Sequence, residues 1–582
     1  MTRILSFVRL RRMNSLRERI AVARGDKKAD IVLKNGQVVN VFSGEIYPAN
    51  VAIYKQHIAA VGDYEGEEEI DLNGRYIVPG FIDSHCHIES TFLTPAELAR
   101  AVVPHGTSLI VSDPHEIANV LGVAGINYLL EASQNIPLDI FFTVPSCVPS
   151  SDMETSGGRV SESDIVSLLK NERVLKLGEL TNFPNVISGK KEVLEKIEPV
   201  CDLGLGIEGH APGLTGKQLN AYISAGITSD HETTTLDEAN EKLKLGLQIF
   251  VREGSSAKNL EALLPAIKPA NSRFFCFCTD DMYPADLANG HMDNILKKAV
   301  GLKLDPLIAI QMVTINPARY FHLNGYGAVA PGYLADINIV SDLEEFKVEM
   351  VFKRGKLITA KQKPLPQAKV KKKSGIKDTV KMKSFETSAL KIPANAEYAK
   401  AIELVSGQIL TKSIVVAVKI KRKQVVSDID NDVLKLAVVE RHKASGRIGL
   451  GLVKGFGLKR GALASSVAHD SHNIICVGVE DEDMLSAIRR VAELGGGMVV
   501  VRGGLVLAEL PLPIAGLISD EPLDKVVKKQ AKLDKAAKDI GSRLEHPFGS
   551  LSFLSLPVIP ELRLTDTGLV DVLQFKNVDL FE

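Results

Sequence analysis

Apolar and polar residues alternate with a period of two from Asp30 to about Pro79, the pattern of half-buried strands. Turn residues at Asn35-Gly36, Ser43-Gly44 and Gly62-Asp63 cut this run, and Asn35-Gly36 reads as a hairpin signal. The same texture returns from about Tyr326 to Ile358, where Pro331-Gly332 and Arg354-Gly355 punctuate runs such as Ala335–Val340. Either flank alone would leave one face unburied, so the two are expected to build a single small β-sandwich.

Between the flanks the pattern changes to short, continuously apolar runs. These lie at Tyr76–Asp83, Ser108–Ser112, Asp139–Val144, Val174–Gly178, Gly204–Glu208, Gly226–Ser229, Gln248–Val251 and Phe274–Cys278. Stretches of helical periodicity or propensity separate them, among them Pro95–Val103, Ile117–Ala132, Glu162–Lys170 and Leu236–Leu243. The alternation predicts an α/β fold, a (β/α)8 barrel of the TIM type. A doubly wound open sheet would carry a glycine-rich phosphate turn after its first strand, and Asp83-Ser-His-Cys-His87 stands there instead.

Beyond the second flank, 361–383 is Lys-rich with Pro364 and Pro366 and reads as a solvated linker, since no aromatics interleave its charges. A further α/β or α+β unit follows, clearest in a helix over Glu482–Leu494, a Gly495-Gly-Gly497 break and a strand over Met498–Val501. The expected domains are a helical extension at 1–29, the composite sandwich at 30–79 and 326–360, the barrel at 80–325, the linker at 361–383 and a C-terminal domain at 384–582. In the extension, the apolar stretch around Ile4–Leu10 is too short and broken for a secretory signal, and Ser15–Arg24 reads as a short charged helix.

Composition narrows the function classes. The 582 residues are 45% hydrophobic and 24% charged with a net charge of -1, which gives no electrostatic reason to expect nucleic acid or an anionic membrane as partner. No apolar run reaches the roughly 20 residues that span a bilayer. Six cysteines scattered through the chain lack the density of a disulfide scaffold and fit a reducing cytoplasm. Cys276 and Cys278 share one face of a strand and read as buried, inert packing.

The chemistry lies at the ends of the apolar runs. His85 and His87 are two apart on a strand, so both imidazoles face one side and can reach one ion. Glu179, His210, His231 and Asp280 follow later barrel runs, and such positions converge on the barrel's C-terminal mouth. Imidazole and carboxylate ligands suit a hydrolytic Mn, Fe(II) or Zn ion that activates water. Lys176 is an odd number of residues from Glu179, so an ideal strand turns it outward.

The motifs Pro79–Glu89, Asp113-Pro-His-Glu116, Gly178-Glu-Leu180, Glu208-Gly-His-Ala211, Asp230-His-Glu232 and Cys278-Thr-Asp-Asp281 resemble the amidohydrolase superfamily, and specifically its bacterial and archaeal adenine deaminases. Ser465–Ile475 looks like that family's C-terminal domain, and the likeness runs from about Asp30 onward. The resemblance implies two divalent ions, Mn or Fe(II) before Zn, with His85, His87 and Asp280 on one, His210 and His231 on the other, and Glu179 bridging. It also implies adenine and water as substrates, purine salvage, and a homodimer or higher homo-oligomer. Asp280 would move the proton from water to the departing amine, and Glu116 is the candidate acid for the ring nitrogen. A carboxylate at Glu116 would equally suit the start of the helix near Ile117. Asp113, His115, Glu89 and Asp281 are candidates for holding substrate, or for orienting the ligands from behind.

His469, Asp470, His472 and Asn473 form a polar cluster outside the barrel, read either as a turn network or as a lid near the mouth, from this chain or a neighbouring subunit. His57, His105, His291, His322, His442 and His546 show no converging partners in the sequence. The zinc deaminases with His-x-Glu and Pro-Cys-x-x-Cys are disfavoured, because His87-Ile-Glu89 has no such cysteine pair to follow it. A dihydroorotase or hydantoinase type of cyclic-amide hydrolase would use the same water but generally a lysine bridge. A scaffold protein that kept the barrel and lost its metals should have lost ligands too.

Overall fold

The structure is a computed structural model that describes residues 2–363, 365–366, 375–405 and 410–581, with the backbone alone given for residues 2–12. Pro364 and most of the Lys-rich centre of the expected linker lie outside the described residues.

One eight-stranded sheet draws its strands from both flanks, in the order Lys356–Ala360, Val348–Lys353, Ile337–Val340, Tyr76–Pro79, Ala29–Asn40, Glu45–Tyr54, His57–Val61, with Gly66–Asp71 also on Ala29–Asn40. Leu33, Val38, Val51, Ile53, Ile77, Ile337, Ile339 and Phe352 meet in its core, so neither flank could bury its apolar face without the other. The Asn35-Gly36 pair is a bulge inside one strand and not the expected hairpin. Leu33 pairs with Val51 and Gly36 with Ala49, which leaves one extra residue, and Asn35 absorbs it at φ 53°. A Cβ on Gly36 would come 2.6 Å from Ile77 Cδ1, so glycine answers to packing there. The chain reverses instead where Gly44 N–H donates to the Asn40 carbonyl at 3.1 Å.

The expected first barrel strand over Tyr76–Asp83 is two strands in two sheets. Tyr76–Pro79 pairs antiparallel with Ile337–Val340, and Phe81–Cys86 pairs parallel with Thr107–Ser112. Gly80 makes the crossing, and a Cβ there would fall 2.4 Å from Ser108 Oγ.

The barrel strands are β1 Phe81–Cys86, β2 Thr107–Ser112, β3 Asp139–Val144, β4 Val174–Leu180, β5 Ile207–Gly209, β6 Ser229–Asp230, β7 Gln248–Arg252 and β8 Phe275–Cys278. β1 to β5 and β6 to β8 form parallel sheets, and bridges Ile207–Ile227 and Cys86–Asp280 close the ring. Ile82, Leu109, Val111, Phe250, Cys276 and Cys278 fill the interior with Phe321, while Ile110, Phe142, Ile249, Val251 and Phe277 pack against the outer helices. Each fully buried aromatic or aliphatic side chain contributes roughly 1.5–3 kcal/mol. Burial pushes the Cys276 thiol up to about 12, in keeping with inert packing.

The helix expected over Ile117–Ala132 breaks into His115–Leu121 and Val123–Ala132, because Gly122 takes φ 59° and restarts the helix on a new axis. At the N-terminus the helix runs over Thr2–Ala23, well beyond the expected Ser15–Arg24, and it docks through Val22 and through Glu18, which accepts from Tyr54 Oη at 2.8 Å.

The C-terminal part is α+β. Its main sheet has eight strands, and the pairing of Tyr398–Leu404 with Ile448–Lys454 is parallel while the others are antiparallel. Helix Asp481–Glu493 covers one face through Met484, Ile488 and Val491. Leu463, Ile475 and Val500 on the other face join the core that continues into the barrel. Leu523 N–H donates to Glu97 Oε2 at 2.9 Å, tying this part to a barrel helix and placing it over the mouth. Among the described residues no helix is long and apolar enough to cross a membrane.

Candidate active site

β1 delivers His85 and His87 to the mouth with their ring nitrogens already assigned. His85 Nδ1–H donates to Glu208 Oε2 at 3.0 Å and His87 Nδ1–H to the Asp113 carbonyl at 2.9 Å, so each ring keeps its Nε2 lone pair for the pocket. Asp280 faces both, with Oδ1 at 3.6 Å from His85 Nε2 and 3.1 Å from His87 Nε2. On the other side Glu179 Oε2 lies 2.8 Å from His210 Nδ1 and 3.1 Å from His231 Nε2, and Oε1 lies 3.6 Å from His87 Nε2. All six side chains are buried. His85, His87 and Asp280 bring one donor atom each within 4.8 Å of one another, as do His85, Glu179 and His231. His85 Nε2 is buried without a hydrogen-bond partner, which suits a cation ligand whose Nδ1 is already used. Burial alone would lower the His231 imidazole, but the Glu179 carboxylate draws it up to about 9, so the pocket favours positive charge.

β4 corrects the expectation for Lys176. Ile207 pairs with Leu177 and Gly209 with Leu180, so three steps on β4 match two on β5 and the extra residue lets both Lys176 and Glu179 face inward. They sit at different depths. Lys176 Nζ lies 3.4 Å from the Tyr320 ring centroid, below the mouth, and burial lowers it to about 8. Glu179, and not Lys176, reaches between the imidazoles.

Of the four supporting candidates, His115 and Asp281 line the cavity at the mouth. His115 Nδ1 lies 3.1 Å from Glu179 Oε1, and Asp281 accepts from Ser90 Oγ. Asp113 and Glu89 are not among the cavity's lining residues. Asp113 Oδ2 accepts from Glu179 N–H at 2.9 Å, and Glu89 Oε1 accepts from Ile117 N–H at 3.0 Å, so they fix the backbone that carries Glu179 and the helix at His115–Leu121.

Arg252 at the end of β7 was not singled out in the sequence. Its Nη1 donates to Glu232 Oε1 at 2.5 Å and to Asp280 Oδ2 at 2.6 Å, and its Nη2 to Glu232 Oε2 at 2.8 Å. Despite burial, this guanidinium holds Asp280 well below the usual carboxylate range. The available signal was its place two residues beyond inward-facing Phe250. Glu232 and Glu208 were visible only as neighbours of ligand histidines.

The C-terminal cluster belongs to this site, and to the same chain. Glu116 Oε1 lies 2.7 Å from His469 Nδ1, and its other oxygen pairs with His472. Burial would raise Glu116, yet these imidazoles hold it well below the carboxylate range, so it stays ionised rather than serving merely as a helix-start carboxylate. Asp470 lies 3.8 Å from His115 Nε2. Asn473 turns away, its Nδ2 donating to the Thr155 carbonyl at 2.9 Å and to Asp566 Oδ1 at 3.3 Å. Three histidines expected to lack partners have them, outside the pocket: His105 with Asp293 at 2.7 Å, His291 with Thr107 at 2.8 Å and His442 with the Ser471 carbonyl at 2.7 Å.

The cavity has a charged lining and an apolar one of Phe553, Leu556, Val558 and Ile559. Such a lining suits a small molecule with one polar edge.

Residues 76–358 match the model of the amidohydrolase family, and residues 408–576 match that of the adenine deaminase C-terminal domain. Over 568 residues the chain is 49% identical to an adenine deaminase of Dehalococcoides mccartyi, covering 97% of this chain and 99% of that one. It is 46% identical over 568 residues to adenine deaminase 2 of Carboxydothermus hydrogenoformans and 47% identical over 563 residues to an adenine deaminase of Methanothrix thermoacetophila, each alignment covering 97% of this chain and 99% of the relative.

Proposed function

This chain belongs to the adenine deaminase family of metal-dependent hydrolases, and on that footing we propose how its residues turn adenine and water into hypoxanthine and ammonia. Two divalent cations, Mn or Fe(II) before Zn, would be held by His85, His87 and Asp280 on one side and His210 and His231 on the other, with Glu179 between. The residues present fit them: the buried Nε2 of His85 has no other partner, the Nδ1 donors of His85 and His87 are already used, and His210 turns Nδ1 toward Glu179. When bound, such ions depress the pKa of water enough to supply hydroxide at neutral pH.

The chain's own groups do the rest. Arg252 ties Asp280 Oδ2 and leaves Oδ1 toward the imidazoles, so Asp280 is placed to take the proton of the adding water and pass it to the leaving amine. His115 and Asp281 on the polar wall hold the purine edge, and the Phe553 wall excludes water. The wall that carries Glu116 supplies the proton for the ring nitrogen beside the reacting carbon. Its six scattered cysteines suit a reducing, cytoplasmic setting.

The observation that carries this reading is the gathering of six buried donors from five barrel strands around one pocket. The test compares ammonia release from adenine with ring opening of cyclic amides by metal-replete protein. We expect ammonia from adenine alone and, in Asp280→Asn, a loss of roughly a hundredfold or more in kcat with the fold retained. No ammonia from adenine, or near-normal turnover by the variant, overturns it.

A further inference from the structure

Both carboxylate oxygens of Glu116 face imidazole nitrogens, and the geometry around it points elsewhere for the acid. Ala468 N–H donates to His472 Nδ1 at 3.2 Å, so that nitrogen is bare and His472 must carry its proton on Nε2, the atom facing Glu116. With one carboxylate oxygen taken by neutral His472, the other receives His469 Nδ1–H at 2.7 Å. The His469 ring is stacked on Phe553 at 4.3 Å between centroids and 12° between planes, and its backbone N–H donates to the Ser552 carbonyl at 2.9 Å. The ring is thereby held in place, and the nitrogen not used by Glu116 is Nε2, on a side chain that lines both the pocket at the mouth and the adjoining cavity. A buried carboxylate on Nδ1 that fixes the tautomer and supports the charged form is the arrangement that makes an imidazole a working acid or base.

We propose that His469, a residue of the C-terminal part, is the catalytic acid that protonates the purine ring nitrogen beside the reacting carbon, with Glu116 and His472 as the positioning pair behind it. This rests on the deaminase reading and assigns its missing proton donor. As water's oxygen bonds to C6, the π pair of the C6–N bond moves onto the ring nitrogen, which gains the proton as His469 Nε2–H breaks. Once ammonia has left with the proton carried by Asp280, the C6 hydroxyl becomes a carbonyl, and its proton restores His469 through solvent. The groups facing His469 are Glu116 from the barrel, Asp281 after β8, Asp470 and His472 on its own turn, and Asp534 and His546 across the adjoining cavity. Burial opposes its charge, but Glu116 draws the imidazole up to about 9, so the acid form is present at neutral pH.

The test uses the metal-loaded full chain and the pH profile of adenine deamination. In His469→Gln we expect kcat to fall roughly a hundredfold or more with little change in KM, and the alkaline limb of the profile to vanish. In Glu116→Gln the limb should move to lower pH, because the imidazolium loses its carboxylate. Free imidazole added to His469→Gly should restore part of kcat, which a structural role would not allow. Bound-metal content and melting curves match wild type in the accepted variants. A His469→Gln enzyme within threefold of wild type that keeps its alkaline limb overturns the assignment while leaving the deaminase reading intact. So does an unmoved limb in Glu116→Gln, or His469→Gly unresponsive to imidazole should His469→Gln fail to fold. Wild-type protein that releases no ammonia from adenine overturns the parent reading instead.

Discussion

Arg252 holds two buried carboxylates with one guanidinium, forking onto Glu232 and reaching Asp280. Its loss would leave like charges facing each other in low dielectric, and breaking a buried pair from one side costs about 3–5 kcal/mol. We therefore expect Arg252→Met to lose stability of that order in urea titration and to lose most turnover, whereas Arg252→Lys, which keeps the charge but not the fork, should fall between. Equal stability of Arg252→Met and wild type would show that the guanidinium is not what orders Asp280. At this scale the sequence named the six side chains proposed as ligands, because each ends an apolar run. Arg252, Glu232 and Glu208 escaped because a single charged residue beside a ligand repeats nowhere and has no period. Glu89 and Asp113 were near enough in sequence to be named but act on backbone N–H groups, a direction that spacing alone does not give.

At the scale of elements, four errors of reading share one cause, since each lies where a regular period is broken by one residue. The bulge at Asn35, the crossing at Gly80, the helix break at Gly122 and the extra residue in β4 each obey local packing rather than alternation. The β4 irregularity matters for function, because it turns Glu179 to the mouth above Lys176. Gly178 permits it: a Cβ there would fall 2.0 Å from Asp113 Oδ2, the oxygen that accepts from Glu179 N–H. Gly178→Ala should displace both and, by overpacking, cost about 1–3 kcal/mol. Retention of divalent metal through gel filtration is the sensitive readout, and undiminished retention would mean that the bulge does not position the bridge.

Across the whole molecule, the alternating flanks foretold one β unit built from both ends, which forms as a single eight-stranded sheet and not as the expected sandwich, and the apolar runs foretold the barrel, because both follow from local periodicity. The closure of the mouth by the C-terminal part did not follow. Glu116 and His469 are hundreds of residues apart, and neither has a pattern that points to the other; they meet because the inner face of a second sheet packs onto the barrel core. The assembled pocket has an apolar wall, a charged wall and a set of buried donors whose central claim is cation binding. That claim is tested most directly by titrating chelator-stripped full chain with Mn(II) and following ammonia release from adenine at each step. Turnover should be absent at first, climb with added metal and level off at two equivalents per chain. Full activity before any metal is added, or a plateau at one equivalent, would contradict it.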